Sequence, residues 1–197
     1  MSVPTAVSMS EADYLAFERA SAQKHEYYNG QVYAMTGAKA THNLIVGNTL
    51  AALHRQLRTK PCQVYPSDMR VKISQTGLHT YPDIVVVCGT PMFSDKSQDT
   101  LLNPLMIVEV LSASTERYDR GMKFQHYRTL ESLTVYLLIA HDHPHLEYFA
   151  RQEQGLWMLR EATELTQTLE IEALGCSLSV ADVYEKVVFE GEGSVPS

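Results

Sequence analysis

Two carboxylates stand where a chain usually keeps only apolar side chains. Asp83 stands where the apolar part of "YPDIVVVCG", a stretch starting at Tyr81, begins, and Glu109 sits in the middle of "PLMIVEVLSAS". Both segments read as buried β-strands. An ionised carboxylate in a dry core costs several kcal/mol unless it is paired, hydrogen-bonded or bound to a metal. A third element follows directly: in "SASTERYDRGMKFQHY", Asp119, Lys123 and Tyr127 fall at successive i,i+4 steps on one helix face. Two acids from neighbouring strands can grip a divalent cation through oxygen, and an ammonium beside them can stabilise an anionic transition state.

Each of these residues also has a plainer reading. A Pro-Asp pair at a strand start is common turn chemistry, and an Asp–Lys pair four residues apart on a helix is an ordinary solvated stripe. Against the plain reading of Glu109, alternation puts it on one face with Ile107 and Leu111 while Val108 and Val110 point the other way, so both faces are apolar. On the helix, Lys123 lies between Met122 and Phe124 beside the buried side, where it could lean over the sheet toward Glu109.

The elements that must position these groups alternate along the chain. Ser10 and Asp13 form a capping box for a short helix, and Asn29-Gly30 in "HEYYNGQVYAM" marks a type I′ hairpin. Thr41 can cap a long helix to about Arg58 with a stripe of Val46, Leu50, Leu53 and Leu57. "QVYPSDMRVKI" reads as one half-buried strand. A second long helix runs from Ser114 or Thr115 to about Leu130, followed by the buried strand "LTVYLLIA". Short antiparallel strands and a capped helix from Ser179 to about Lys186 complete the pattern. The expected class is α/β of the α+β type, a mixed sheet flanked by helices with additional antiparallel strands. One domain is expected over residues 1–190, with a tail at 191–197.

Composition narrows the classes. The 197 residues carry a formal net charge of −7, which argues against a tight, purely electrostatic grip on nucleic acid. Basic residues still cluster locally at Arg55, Arg58 and Lys60, and at Arg117, Arg120, Lys123 and Arg128. No apolar run is long enough to span a bilayer, and the N-terminus lacks a secretory pattern, so a cytoplasmic protein is expected. Cys62, Cys88 and Cys176 have no metal spacing and read as free thiols. The run "HDHPH" from His141 offers transition-metal ligands, but its contiguity and Pro144 favour a turn between strands.

Taken in order, Pro82-Asp83, Glu109 in "VEVLS" and "DRGMKFQHY" resemble the PD-(D/E)xK nuclease superfamily, and within it the Uma-type restriction-endonuclease branch. The hairpin, "PSDMRV" and "VYLLIA" extend the resemblance over nearly the whole chain. It implies a restriction-endonuclease-like core and a nuclease in which Asp83, Glu109 and Lys123 are catalytic. Asp83, Glu109 and the Val110 carbonyl would bind a divalent metal, Mg²⁺ or else Mn²⁺. Glu26, His42, Asp68 and Tyr127 would be accessory. The superfamily pattern has its lysine two residues after the acid, where this chain has Leu111; the Uma-type branch resembles this sequence in carrying it on the following helix, at Lys123. The partners implied are nucleic acid, DNA before RNA, and a second copy in a homodimer, with no membrane. The alternative is an inactive descendant that keeps the fold as a binding module.

Overall fold

The computed structural model describes residues 8–189. Helix α1 (Glu11–Ala20) starts at Ser10, whose hydroxyl accepts from the Asp13 N–H and donates to the Asp13 carboxylate, the expected cap. Strands β1 (His25–Tyr28) and β2 (Gln31–Ala34) turn at Asn29 and Gly30, with φ of 48° and 79°. Positive φ at both positions is what a type I′ turn demands. Helix α2 (Ala40–Leu57) buries Ile45, Thr49, Ala52, Leu53 and Leu57. That stripe is rotated slightly from the expected one, since Val46 and Leu50 are only partly buried at its edge.

The strands that follow are β3 (Cys62–Pro66), β4 (Arg70–Ile73), β5 (Leu78–Thr80), β6 (Ile84–Cys88), β7 (Thr100–Leu101) and β8 (Met106–Val110). After a helical segment come β9 (Val135–Ile139), β10 (Leu146–Arg151), β11 (Trp157–Ala162), β12 (Thr168–Ile171) and β13 (Cys176–Ser179). Among the described residues a six-stranded sheet runs β11-β10-β9-β8-β6-β3, a five-stranded sheet runs β2-β1-β5-β4-β7, and β12-β13 form a pair.

Every residue of β8 and β9 is buried because the central sheet is covered on both faces. Ile84, Val86, Met106, Val108, Leu137 and Ile139 pack with Leu53 and Leu57 of α2. Val85, Val87, Ile107, Leu111, Tyr136 and Leu138 pack with Tyr127, Leu130 and Leu133 on the other side. At about 1.5–3 kcal/mol for each fully buried large apolar side chain, these two layers are the main favourable term in the fold.

Strands β8 and β9 pair in parallel. A parallel pair needs a crossover, and the helical segment supplies it. It is not the single long helix expected: α3 (Glu116–Tyr118) passes into a π-helical turn (Asp119–Lys123) and then α4 (Phe124–Tyr127).

Other expectations are corrected. "QVYPSDMRVKI" is two strands in different sheets, because the chain turns at Pro66, whose carbonyl accepts from the Met69 N–H. Cys62 and Cys88 are joined in a disulfide, since the β3–β6 register makes them direct cross-strand neighbours; Cys176 is the free cysteine, and it is buried. The final helix, α5 (Val180–Val183), is shorter than expected although Ser179 does cap it. The tail at 191–197 lies outside the described residues. No helix among them is long and apolar enough to cross a membrane.

Candidate active site

Asp83 immediately precedes β6. Continuing the antiparallel register of Ile84 with Val108 by one residue sets Asp83 opposite Glu109. The half-buried Asp83 accepts from the Val110 N–H at 2.7 Å through Oδ2, and His42 Nε2, from the first turn of α2, approaches the same oxygen at 3.3 Å. Glu109 is 4% exposed. Its Oε1 accepts from the Tyr127 hydroxyl at 2.8 Å and lies 2.8 Å from Lys123 Nζ.

Lys123 is buried in spite of its charge, and its ammonium gathers further acids: Asp119 Oδ1 at 3.4 Å and Glu26 Oε1 at 3.5 Å. Glu26 is in turn bonded by the Thr80 hydroxyl, and Tyr136 donates to the Asp119 carbonyl at 3.0 Å. Asp119 is therefore a buried member of the cluster as well as Lys123's neighbour on the helix. The i,i+4 spacing held that signal; nothing in the sequence pointed to Thr80. The π-helical turn carries both charged groups, consistent with the frequency of such turns at functional sites.

Burial raises the proton affinity of Glu109 to about 8, an effect that Lys123 opposes and the nearby Asp119 and Asp83 reinforce. Lys123 itself is held charged: burial disfavours the ammonium, but Glu109, Tyr127, Asp119 and Glu26 outweigh it. Burial also opposes protonation of His42, and Asp83, the Val110 backbone and Asp119 together reverse that, so its pKa is raised. Four acids face one ammonium and one imidazole, so ionising all four would leave a surplus of negative charge in a largely buried site.

That surplus fits a hard divalent cation. Among the described residues, hydrogen bonds engage Oε1 of Glu109 and Oδ2 of Asp83, so each acid retains its other oxygen for a ligand. These are oxygen donors of the type Mg²⁺ and Mn²⁺ prefer.

Of the expected accessory residues, Glu26, His42 and Tyr127 reach this cluster and Asp68 does not. Its carboxylate is 87% exposed and pairs with Lys24 at 2.8 Å, because the β3–β4 turn carries it to the surface. The "HDHPH" run makes bends through Pro144, as expected of a turn. His145 then meets Glu147 and Glu161, with one ligand atom of each within 4.8 Å of the others. Arg120 already pairs with Glu147 and Glu116, and His145 with Glu161, so ion pairing accounts for that group.

A family model, Uma2, described as "Putative restriction endonuclease", matches residues 11–181. Two Synechocystis proteins described as uncharacterized are similar in sequence. One, slr1290, is 32% identical over 181 residues, covering 92% of this chain and 94% of the relative. The other, sll1609, is 34% identical over 161 residues, covering 82% and 91%. A crystal structure from Anabaena variabilis, described as a "putative nuclease belonging to DUF820", aligns with a TM-score of 0.73 at 14% identity, covering 89% of this chain and 98% of that one. At that identity the likeness is one of fold.

Proposed function

The chain belongs to the Uma2 family, and from that premise we propose that it is a metal-dependent nuclease that hydrolyses phosphodiester bonds of DNA. The observation that carries this reading is the placement of Lys123 Nζ at 2.8 Å from Glu109, with Asp83 in register opposite. Asp83, Glu109 and the Val110 carbonyl would hold Mg²⁺ or Mn²⁺. A bound ion of this kind neutralises phosphoryl oxygens and acidifies water.

The chain's own residues have separable roles. Tyr127 fixes the Glu109 carboxylate and His42 orients Asp83. Lys123 supplies positive charge to the pentacovalent phosphate or orients the attacking water, a role that a long flexible ammonium can fill from a helix. Glu26 and Asp119 keep that ammonium charged and aimed into the site. Cutting both strands of a duplex calls for two such sites, and a two-fold homodimer is the simplest way to supply them.

One observation favours the alternative, a binding module without activity. Lys123 is 5% exposed and already engaged by three carboxylates, so a substrate must draw it away from partners it holds at rest. Cleavage assays on single- and double-stranded DNA and on RNA, with Mg²⁺, Mn²⁺ or chelator, separate the two readings. Metal-dependent cleavage by the wild type that Asp83→Ala abolishes is the expected result. No cleavage of any substrate with either metal supports the binding module.

A further inference from the structure

Between the β1–β2 hairpin and the face of α3 and its π-helical turn lies a cavity of about 330 Å³. The hairpin register pairs Glu26 with Tyr33, and Tyr28 lies two residues from Glu26 on the same strand, so all three stand on one face. Tyr118 and Met122 form the facing wall, and Lys123 lines the same cavity. The lysine thus belongs both to this cleft and to the acid cluster around Glu109.

We propose that this cleft holds one unstacked nucleobase of the substrate, so that the protein acts on a single strand or on a nucleotide lifted out of a duplex. The proposal rests on the nuclease reading of the adjoining cluster and adds the form of the substrate. Three features carry it.

Two of the rings, Tyr28 and Tyr118, are held before any ligand arrives. Tyr28 meets His126 edge-on with ring centroids 4.8 Å apart, and Lys123 Nζ lies 5.8 Å from the Tyr118 ring centre. Pre-set aromatic faces are what base stacking uses.

Size is the second feature. The cavity is at the small end of the roughly 300–1,000 Å³ usual for small-molecule sites, enough for one base. A base inside an intact duplex is stacked on both faces and cannot enter a cleft walled by tyrosines unless it is extruded.

Charge is the third. The chain carries −7 overall, and Glu26 and Asp119 line the cleft itself. Counterion release from phosphates therefore contributes little affinity, whereas stacking is independent of charge and of sequence. Met122, 47% exposed at the rim, adds apolar contact of the same kind.

The test is equilibrium binding in chelator, where nothing is cut. Labelled oligothymidylate, its duplex with oligoadenylate, and an abasic strand of equal length and charge are compared. The wild type should bind oligothymidylate at least about tenfold more tightly than either other probe, the scale of one stacked base. Tyr33→Ala should lose about that factor on oligothymidylate and nothing on the abasic strand, while Tyr33→Phe, which keeps the ring, should bind as the wild type does. Equal affinity for the abasic strand, a uniform loss on both strands in Tyr33→Ala, or no measurable binding of oligothymidylate overturns the assignment. Should Tyr33→Ala fail to fold, Met122→Trp fills the cleft from its exposed rim and should show the same tenfold loss; unchanged affinity there overturns it equally. Because no cleavage is read, the two readings fail separately. Base-dependent binding without cleavage removes the nuclease and leaves the cleft, and cleavage with base-independent binding does the reverse.

Discussion

Lys123 Nζ lies 2.8 Å from Glu109 Oε1, and the two meet because the crossover bearing the lysine begins where the strand bearing the glutamate ends. A parallel β8–β9 pair forces the chain back over the sheet, and the first helical turns of that return pass above the C-terminal end of β8. A lysine that has left the strand can therefore still serve an acid on it.

Lys123→Met should abolish cleavage and also destabilise the protein. The substitution leaves Glu109, Asp119 and Glu26 without their shared cation, and removing one partner of a buried ion cluster costs about 3–5 kcal/mol. Lys123→Arg keeps the charge but not the compact head, so it should recover much of the melting temperature and little of the activity. Turnover in Lys123→Met close to that of the wild type would show that the wrong residue has been assigned.

Tyr127→Phe separates positioning from chemistry. Its hydroxyl touches Glu109 and the ring is fully buried, so the variant leaves a buried carboxyl oxygen without its donor and loses no packing. The expected cost is about 1–3 kcal/mol of stability. Cleavage should fall through kcat with KM little changed, and steady-state kinetics on an oligonucleotide substrate reads the split. A change confined to KM would place Tyr127 against the substrate instead.

Away from the site, Asp99 gives a stability prediction with a definite sign. The hydrogen bond from Arg19 is the largest influence on it, and with Thr100 and Arg70 it outweighs burial and holds the Asp99 carboxyl below the usual range. A depressed carboxyl stabilises the fold above its unfolded value, near 3.9, and that contribution disappears as pH falls through and below it. Asp99 is a third exposed, so solvent screening limits the effect to about 1 kcal/mol. Asp99→Asn should melt a few degrees below the wild type at pH 7, with the gap closing as pH drops below about 4. A gap that stays constant with pH would show that the ion pairs contribute nothing.

Much of this arrangement was legible in the sequence because it is written in short-range patterns. The Ser10–Asp13 box, the Asn29-Gly30 turn and the apolar runs around Asp83 and Glu109 each declare themselves within a few residues. Asp83 and Glu109 stood out since charge is costly in such runs, and Lys123 through its i,i+4 spacing with Asp119 and Tyr127. What stayed hidden depends on long-range register. Cys62 meets Cys88 only through β3–β6 pairing, and Asp68 leaves the site only because the chain turns at Pro66. The π-helical turn was invisible for a related reason, since, Gly121 apart, Asp119–Lys123 has an ordinary helical composition and tertiary packing decides its winding.

Divalent metal should reverse the pH dependence that Glu109 imposes. Burial raises this carboxyl to about 8, well above an unfolded glutamate near 4.3. The folded state then binds more protons than the unfolded one between those values, so the metal-free protein should lose stability as pH rises through that window. A cation held by Asp83 and Glu109 favours the ionised form and must displace that proton to bind. The rise in melting temperature on adding Mg²⁺ or Mn²⁺ should therefore be larger at pH 8.5 than at pH 6. Metal at a hundred times its dissociation constant would contribute about 2.7 kcal/mol. Glu109→Gln keeps the size of the side chain and an acceptor for Tyr127 but carries no titrating proton. It should remove both the metal shift and the decline of metal-free stability with pH. Calorimetric scans of the two proteins at both pH values, with metal and with chelator, read all of this, and a metal shift in Glu109→Gln equal to that of the wild type would place the ion elsewhere.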